Sequence, residues 1–354
     1  MITRGEMPQV RRVCVLAWGG AAVSWELSTP GRLGAGLASC AAFLLLAAGC
    51  ALHVRHALMS ELRRVREIAG AAQRAVLRPL PGRIQGLTPA AAQLSASRGA
   101  AVGGDLYEAV PTGYGVRVVI GDVRGHGLPA LGAAAAVLGA FREAAYDEPG
   151  LGGVLVRMER ALARHVLEQD AAEEFVTVLL LQIAEDGSVR ALNCGHPWPY
   201  LLREPRPLEP CGAPPRADPG RGVRPAAEPG RRRRGGAVAG GAVVGSARRR
   251  TVVRSLDGGE VLPPLGVVPV PPGLPAQDCG QLWPGDVLFL HTDGAEDARD
   301  AAGRFFPLRR VLAELPADTP ARLVAGVHAE LLRHTGGQLT DDVALLALRS
   351  DRNP

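Results

Sequence analysis

Residues 33–54 contain no Asp, Glu, Lys or Arg. As a helix, those 22 residues would run ~33 Å, enough to cross the hydrocarbon core of a bilayer. A span there would oblige the rest of the chain to fold on either side of it. An earlier apolar run, residues 13–25, would reach only ~20 Å and would need its flanks to cross. It reads as a short first span, an interfacial segment or a buried helix. Arg4, Arg11 and Arg12 precede the shorter run, and Arg55, Arg63, Arg64 and Arg66 follow the longer one. The positive-inside tendency places both flanks in the cytoplasm, which requires two spans joined around residues 26–32. The alternative is a single span after a cleavable or interfacial stretch, although no small-residue cleavage site stands out. Residues 1–54 are therefore read as a membrane region of one or two spans, with the bulk of the chain on the cytoplasmic side.

Beyond the membrane region, Leu62, Val65, Ile68, Ala72 and Val76 recur at three- and four-residue spacing, with Arg and Glu between them. This predicts an amphipathic linker helix over 55–80. It would serve either as a dimerising signal helix or as a helix packed on its own domain. Pro79 to Pro89 breaks it, and the pattern becomes strand-like from about Gly99. Strands are expected at 115–121, 175–183, 189–194, 198–202, 287–291 and 343–349, and helices from Pro129 to Tyr146, at 151–168, at 308–315 and at 321–334. Strands interleaved with pairs of helices suggest an α+β domain with packed sheets rather than a Rossmann unit. The domain is placed at 81–350, interrupted at 204–250 by a segment dense in Pro, Gly and Arg with no apolar period, which reads as a flexible insertion.

All 40 basic residues are arginine. Without a lysine there is no P-loop, no kinase-type phosphate lysine and no Schiff base. The net charge of +5 is unevenly distributed: residues 1–78 and 204–260 are each net +6, and the remainder is net −7. The six cysteines are scattered without a C-x-x-C pair, which predicts neither a zinc site nor a disulfide framework. Arg231 to Arg234 and Arg248 to Arg250 raise the question of a nucleic-acid or anionic-lipid surface. With no interleaved aromatics and no binding motif, a solvated linker is the default, and no nucleic acid is expected.

The acidic part of the chain holds four signals at predicted strand ends or in Gly-rich turns: Gly103-Gly104-Asp105, Gly121-Asp122-Val123, Thr292-Asp293-Gly294 and Asp341-Asp342. Any one alone is ordinary turn chemistry. Together they suggest a hard-cation site at one rim of a sheet, with oxygen donors suited to Mg²⁺ or Mn²⁺ and not to zinc.

In order along the chain, Val102-Gly103-Gly104-Asp105, Ile120-Gly121-Asp122 with Gly125 and Gly127, Phe175-x-Thr177, Asn193-Cys194-Gly195-His196-Pro197, Pro264-Leu265-Gly266, Pro284-Gly285-Asp286, Thr292-Asp293-Gly294-x-Glu296 and Asp341-Asp342 resemble the motifs of metal-dependent protein phosphatases related to protein phosphatase 2C, specifically the bacterial SpoIIE-type branch. The resemblance implies a β-sandwich flanked by helices and a two-metal centre of Mn²⁺ or Mg²⁺ at one end. It further implies hydrolysis of phosphoserine or phosphothreonine without a covalent intermediate. Carried over, Asp105 and Asp122 would bridge or flank both metals and activate the water. Val123 would ligate through its carbonyl, and Asp293 and Asp341 would complete the set. Asp342 is either a second-metal ligand or a partner one bond removed. The expected substrate is a phosphorylated, STAS-type antagonist of an anti-sigma factor, and a homodimer through the linker helix is a further expectation. Arg124 stands where many eukaryotic members of the family have a histidine; it is a candidate for holding substrate phosphate, and His126 a candidate proton donor or else a solvated turn histidine. Glu108 replaces a common Asp, and Thr177, Asn193, His196 and His291 are read as shaping or packing the strand ends. A catalytically weak phosphatase fold used as a partner-binding switch is the competing reading, and the presence of all five aspartates argues against it.

Overall fold

The computed structural model describes residues 33–94, 103–125, 127–169, 174–204 and 251–352. The expected first span at 13–25, His126 and the insertion after Glu204 lie outside them. The chain divides into two compact units, Met1–Ile68 and Ala69–Pro354.

The uncharged stretch and the linker belong to one helix, α1 (Leu33–Val76). No proline interrupts it, and alanines and leucines dominate its first half. Within the first unit Leu44, Leu45, Leu46 and Leu52 are exposed, as are Leu58, Leu62 and Val65 further along. Among the described residues, the helix that is long and apolar enough to cross a membrane is instead Leu128–Asp147 of the second unit. Nine of its residues, from Ala130 to Ala145, are buried in that unit's core, which accounts for much of its apolar composition.

The second unit is a four-layer α+β sandwich. One sheet has the order β2-β3-β4-β5-β8, from Asp105–Thr112, Gly115–Val123, Val176–Ile183, Ser188–Cys194 and Gln277–Gln281. The other has the order β1-β10-β9-β6-β7, from Leu87–Leu94, Val343–Ser350, Val287–His291, Tyr200–Arg203 and Val252–Ser255. Neighbouring strands are antiparallel throughout.

Side-chain alternation explains the layers. On β3, Val116, Val118 and Ile120 face the space between the sheets, and Val119 and Val123 face outward under α2 (Leu128–Asp147) and α3 (Leu151–Gln169). On β10, Ala344, Leu346 and Leu348 face the interior, while Val343, Leu345 and Ala347 lie under α5 (Leu308–Glu314) and α6 (Pro320–His334). Helices cover both outer faces, so β3, β4, β9 and β10 read as continuous apolar runs although their pairing is antiparallel. A four-residue helix, α4 (Gly294–Asp297), follows β9 directly.

The expected strands and helices form close to their predicted limits. Strand β1 departs from expectation, since residues 87–94 fall before the predicted onset of strand structure at Gly99. Its Ala-rich, Pro-containing sequence carries little strand signal, and pairing of all eight residues with β10 supplies the order. Pro89 is tolerated because β1 is an edge strand, where a missing N–H need not break a ladder.

Candidate metal centre

Both sheets deliver their acidic residues to the same end of the sandwich. Asp105 is the first residue of β2 and stands in register with Asp122, near the end of β3. Asp293 follows β9 and Asp341-Asp342 precede β10; these strands pair antiparallel with His291 opposite Leu345, so the end of one lies beside the start of the other. Thr292 joins the two sheets there. Its Oγ1 donates to Asp105 Oδ2 at 3.3 Å and accepts from the Ala344 N–H at 2.9 Å.

Exposure grades the group into a floor and a rim. Asp105 and Asp342 are buried, Asp122 is half-buried, and Asp293 and Asp341 are exposed. Burial, then the charges of Asp122 and Asp342, holds the Asp105 carboxyl well above the usual range. Asp122 is pushed up to about 7, first by burial and then by Asp293, Asp341 and Asp342. Asp293 is also raised, by partial loss of water and then by Asp341. The site thus concentrates negative charge that its own carboxylates resist.

The donor set fits divalent cations. Asp105 Oδ1 is buried with no hydrogen-bond partner, an expensive arrangement unless something positive meets it. Gly104 leaves a cradle beside it: a Cβ there would lie 2.5 Å from the Val123 carbonyl oxygen, 3.0 Å from Asp122 Oδ1 and 3.1 Å from the Gly125 carbonyl oxygen. All these groups are hard oxygen donors. Among the described residues no three His, Cys, Asp or Glu side chains are closed up tightly enough to hold an ion by themselves.

Residues 112–215 and 237–351 match the family model described as Stage II sporulation protein E (SpoIIE). The chain belongs to the SpoIIE family. Two solved structures share the fold. The SiaA-PP2C domain of Pseudomonas aeruginosa is 16% identical, with 83% of this chain and 98% of that one covered and a TM-score of 0.53. The RsbU and RsbW domains of Rv1364c from Mycobacterium tuberculosis are 20% identical, with 76% of this chain covered and a TM-score of 0.51. This SpoIIE-family chain spans 63% of the length of that second structure. The family match skips residues 216–236, inside the expected insertion.

The other motif residues of this SpoIIE-family chain divide between the neighbourhood of the carboxylates and structural positions elsewhere. Arg124, exposed beside Asp122, places its guanidinium carbon 5.4 Å from the centre of the Phe175 ring. Glu108 stands apart, on β2 three residues beyond Asp105, where Arg142 of α2 binds it with its Nε 2.7 Å from Oε2. Asp286 holds Arg203 across neighbouring strands and accepts from the Trp283 N–H, so the Pro-Gly-Asp block is a structural turn. Thr177, Asn193, His196 and His291 are joined by hydrogen bonds behind the rim. Burial, and secondarily the neighbouring His291, pushes the His196 imidazole down to about 3, so the ring is neutral at physiological pH. Sequence reasoning assigned no role to Thr292. Its place in Thr-Asp-Gly was a signal, but its partner Asp105 lies 187 residues away.

Proposed function

We propose that this chain is a membrane-anchored, metal-dependent protein phosphatase that hydrolyses phosphoserine or phosphothreonine on a cytoplasmic regulatory protein. The observation that carries the reading is the register-paired Asp105 and Asp122 with an unmet buried carboxylate oxygen, facing Asp293, Asp341 and Asp342 from the other sheet. Those five carboxylates and the Val123 carbonyl would hold two divalent cations, Mn²⁺ or Mg²⁺. Once bound, the cations would supply an acidified water and neutralise phosphoryl charge.

The chain's own residues do the rest by position. Asp105 and Asp342 are buried on one side of the group, and exposed Asp293 and Asp341 leave the other side open to a protein substrate. Arg124, exposed two residues beyond Asp122, would offer a planar fork suited to phosphate oxygens. For the partner, we propose a STAS-type antagonist of an anti-sigma factor. The RsbU–RsbW composition of the Mycobacterium tuberculosis structure supports a regulatory setting of this kind.

The anchor is proposed from residues 33–54: an uncharged helical stretch with exposed leucines, followed closely by four arginines. The exposed Leu58, Leu62 and Val65 of the linker favour a homodimer there. Membrane fractionation and protease accessibility test the anchor, and cross-linking of a cysteine placed on the linker tests the dimer. Activity is tested by Mn²⁺-dependent phosphate release from a phosphoserine peptide, compared with Asp122→Asn and Asp293→Asn. Equal turnover in all three proteins would reject the phosphatase reading.

A further inference from the structure

The layer between the two sheets is apolar along most of its extent, packed from Val118, Ile120, Leu179, Leu181, Leu288 and Leu346. Just behind the carboxylates its character changes. Thr177 on β4 is the register partner of Asp122, and its Oγ1 lies 3.0 Å from His196 Nδ1. The other ring nitrogen, His196 Nε2, lies 3.1 Å from the backbone carbonyl oxygen of His291, at the end of β9 and two residues before Asp293.

The proton positions follow from the partners. A carbonyl only accepts, so Nε2 carries hydrogen, and in a neutral ring Nδ1 accepts from the Thr177 hydroxyl. Asn193 fixes the segment that carries the ring: its Nδ2 donates to the His196 carbonyl, and its Oδ1 accepts from the His196 N–H, each at 2.8 Å. The His196 residue is 4% exposed and Asn193 is fully buried.

We propose that His196 is a positioning residue for the metal centre, a rigid spacer that sets the distance between the strand end carrying Asp122 and the one carrying Asp293. The physical reason is directionality. Apolar contacts between sheets tolerate small slides, whereas metal ligation requires donor distances held to within ~0.2 Å. A pair of aimed hydrogen bonds through one flat ring supplies what the apolar layer cannot. A buried polar bridge in an otherwise apolar interlayer also costs desolvation that a leucine would avoid. The inference rests on the metal-centre reading above.

The test is the Mn²⁺ dissociation constant of the full chain, measured by titration calorimetry and by the electron paramagnetic resonance signal of free Mn²⁺, alongside kcat and KM for p-nitrophenyl phosphate. In His196→Ala, Mn²⁺ affinity should fall ~10- to 100-fold, the range seen when groups that orient metal ligands are removed. His196→Gln should recover most of it, because the amide oxygen can accept from Thr177 while the amide nitrogen donates to the His291 carbonyl. Thr177→Val should weaken Mn²⁺ binding in the same direction, and the double variant should add little, since both act through one bond. Unchanged Mn²⁺ affinity in a folded His196→Ala protein, or failure of Gln to improve on Ala, would overturn the proposal. If His196→Ala does not fold, Thr177→Val decides, and wild-type affinity there overturns it. Wild-type protein that binds no Mn²⁺ would instead sink the metal-centre reading and this inference with it.

Discussion

Strand β3 carries two ionisable residues five positions apart, and the fold treats them in opposite ways. Arg117, near its start, is fully buried, yet its guanidinium has acceptors on every side. Nη1 donates to the carbonyl oxygens of Ala145 at 2.9 Å and Glu148 at 2.6 Å, Nη2 donates to that of Pro149 at 2.9 Å, and both Nε and Nη2 reach Gln182 Oε1. The cation thereby ties the C-terminal end of α2 to the sheet. Asp122, near the other end, is crowded by further carboxylates and held largely protonated below about pH 7. One end of the strand is satisfied from within, and the other is left with crowded carboxylates that a bound cation would relieve. On the proposed metal-centre reading, the difference separates a residue that serves the fold from one that would serve the chemistry.

The largest expected effect attacks the incomplete end. Asp122→Asn should lower Mn²⁺-dependent turnover of p-nitrophenyl phosphate by at least ~10³-fold, the loss of several kcal/mol of charge stabilisation. The same variant, stripped of metal, should melt above wild type at pH 8, because the substitution removes repulsion. A lower melting temperature would contradict the frustrated-site account.

Arg117→Met attacks the satisfied end and should behave in reverse. Leaving three carbonyls and Gln182 without their buried donor should cost ~3–5 kcal/mol in urea denaturation. Turnover per folded molecule should change far less than in Asp122→Asn. A loss below ~1 kcal/mol would show that water replaces the guanidinium without penalty.

A smaller effect joins pH to metal. The Asp122 carboxyl is raised in the folded state from an ordinary 3.8 to about 7. Its stability contribution is therefore fully present below pH 3.8 and is lost as pH rises through about 7. Metal-free protein should melt progressively lower from pH 5 to pH 8, and the rise in melting temperature on adding Mn²⁺ should be larger at pH 8. Equal Mn²⁺-induced rises at both pH values would remove Asp122 from the metal set. The smallest effect is expected from deleting residues 205–250 and joining the ends through a short Gly/Ser linker. Turnover should stay within about twofold of wild type if the segment is a solvated connection. A larger loss would give the arginines a catalytic or docking role.

How much of this was legible beforehand varied with the range of the interaction. The runs at β4, β9 and β10 announced buried strands, because two covered faces leave no polar alternation. The Ala-rich β1 did not, since its order comes from β10, some 250 residues later in the chain. Asp105, Asp122, Asp293 and Asp341 were legible because each sits beside the glycines or turn residues that a close approach requires. Thr292 as the anchor of Asp105 was hidden, and so was the His196 bridge, whose acceptor lies 95 residues away. No local pattern records such a pairing.

The sequence by itself determined which elements form and which donor atoms are on offer. Backbone periodicity and side-chain chemistry are properties of short stretches, and the exclusion of lysine chemistry needs only a count. The tertiary structure decided which acids meet, that Asp122 holds its proton to about pH 7 while Arg117 keeps its charge in the core, and that one imidazole spans the two sheets. Desolvation and Coulomb energies depend on burial and on distances of a few ångströms between residues far apart in the chain, and packing alone sets those.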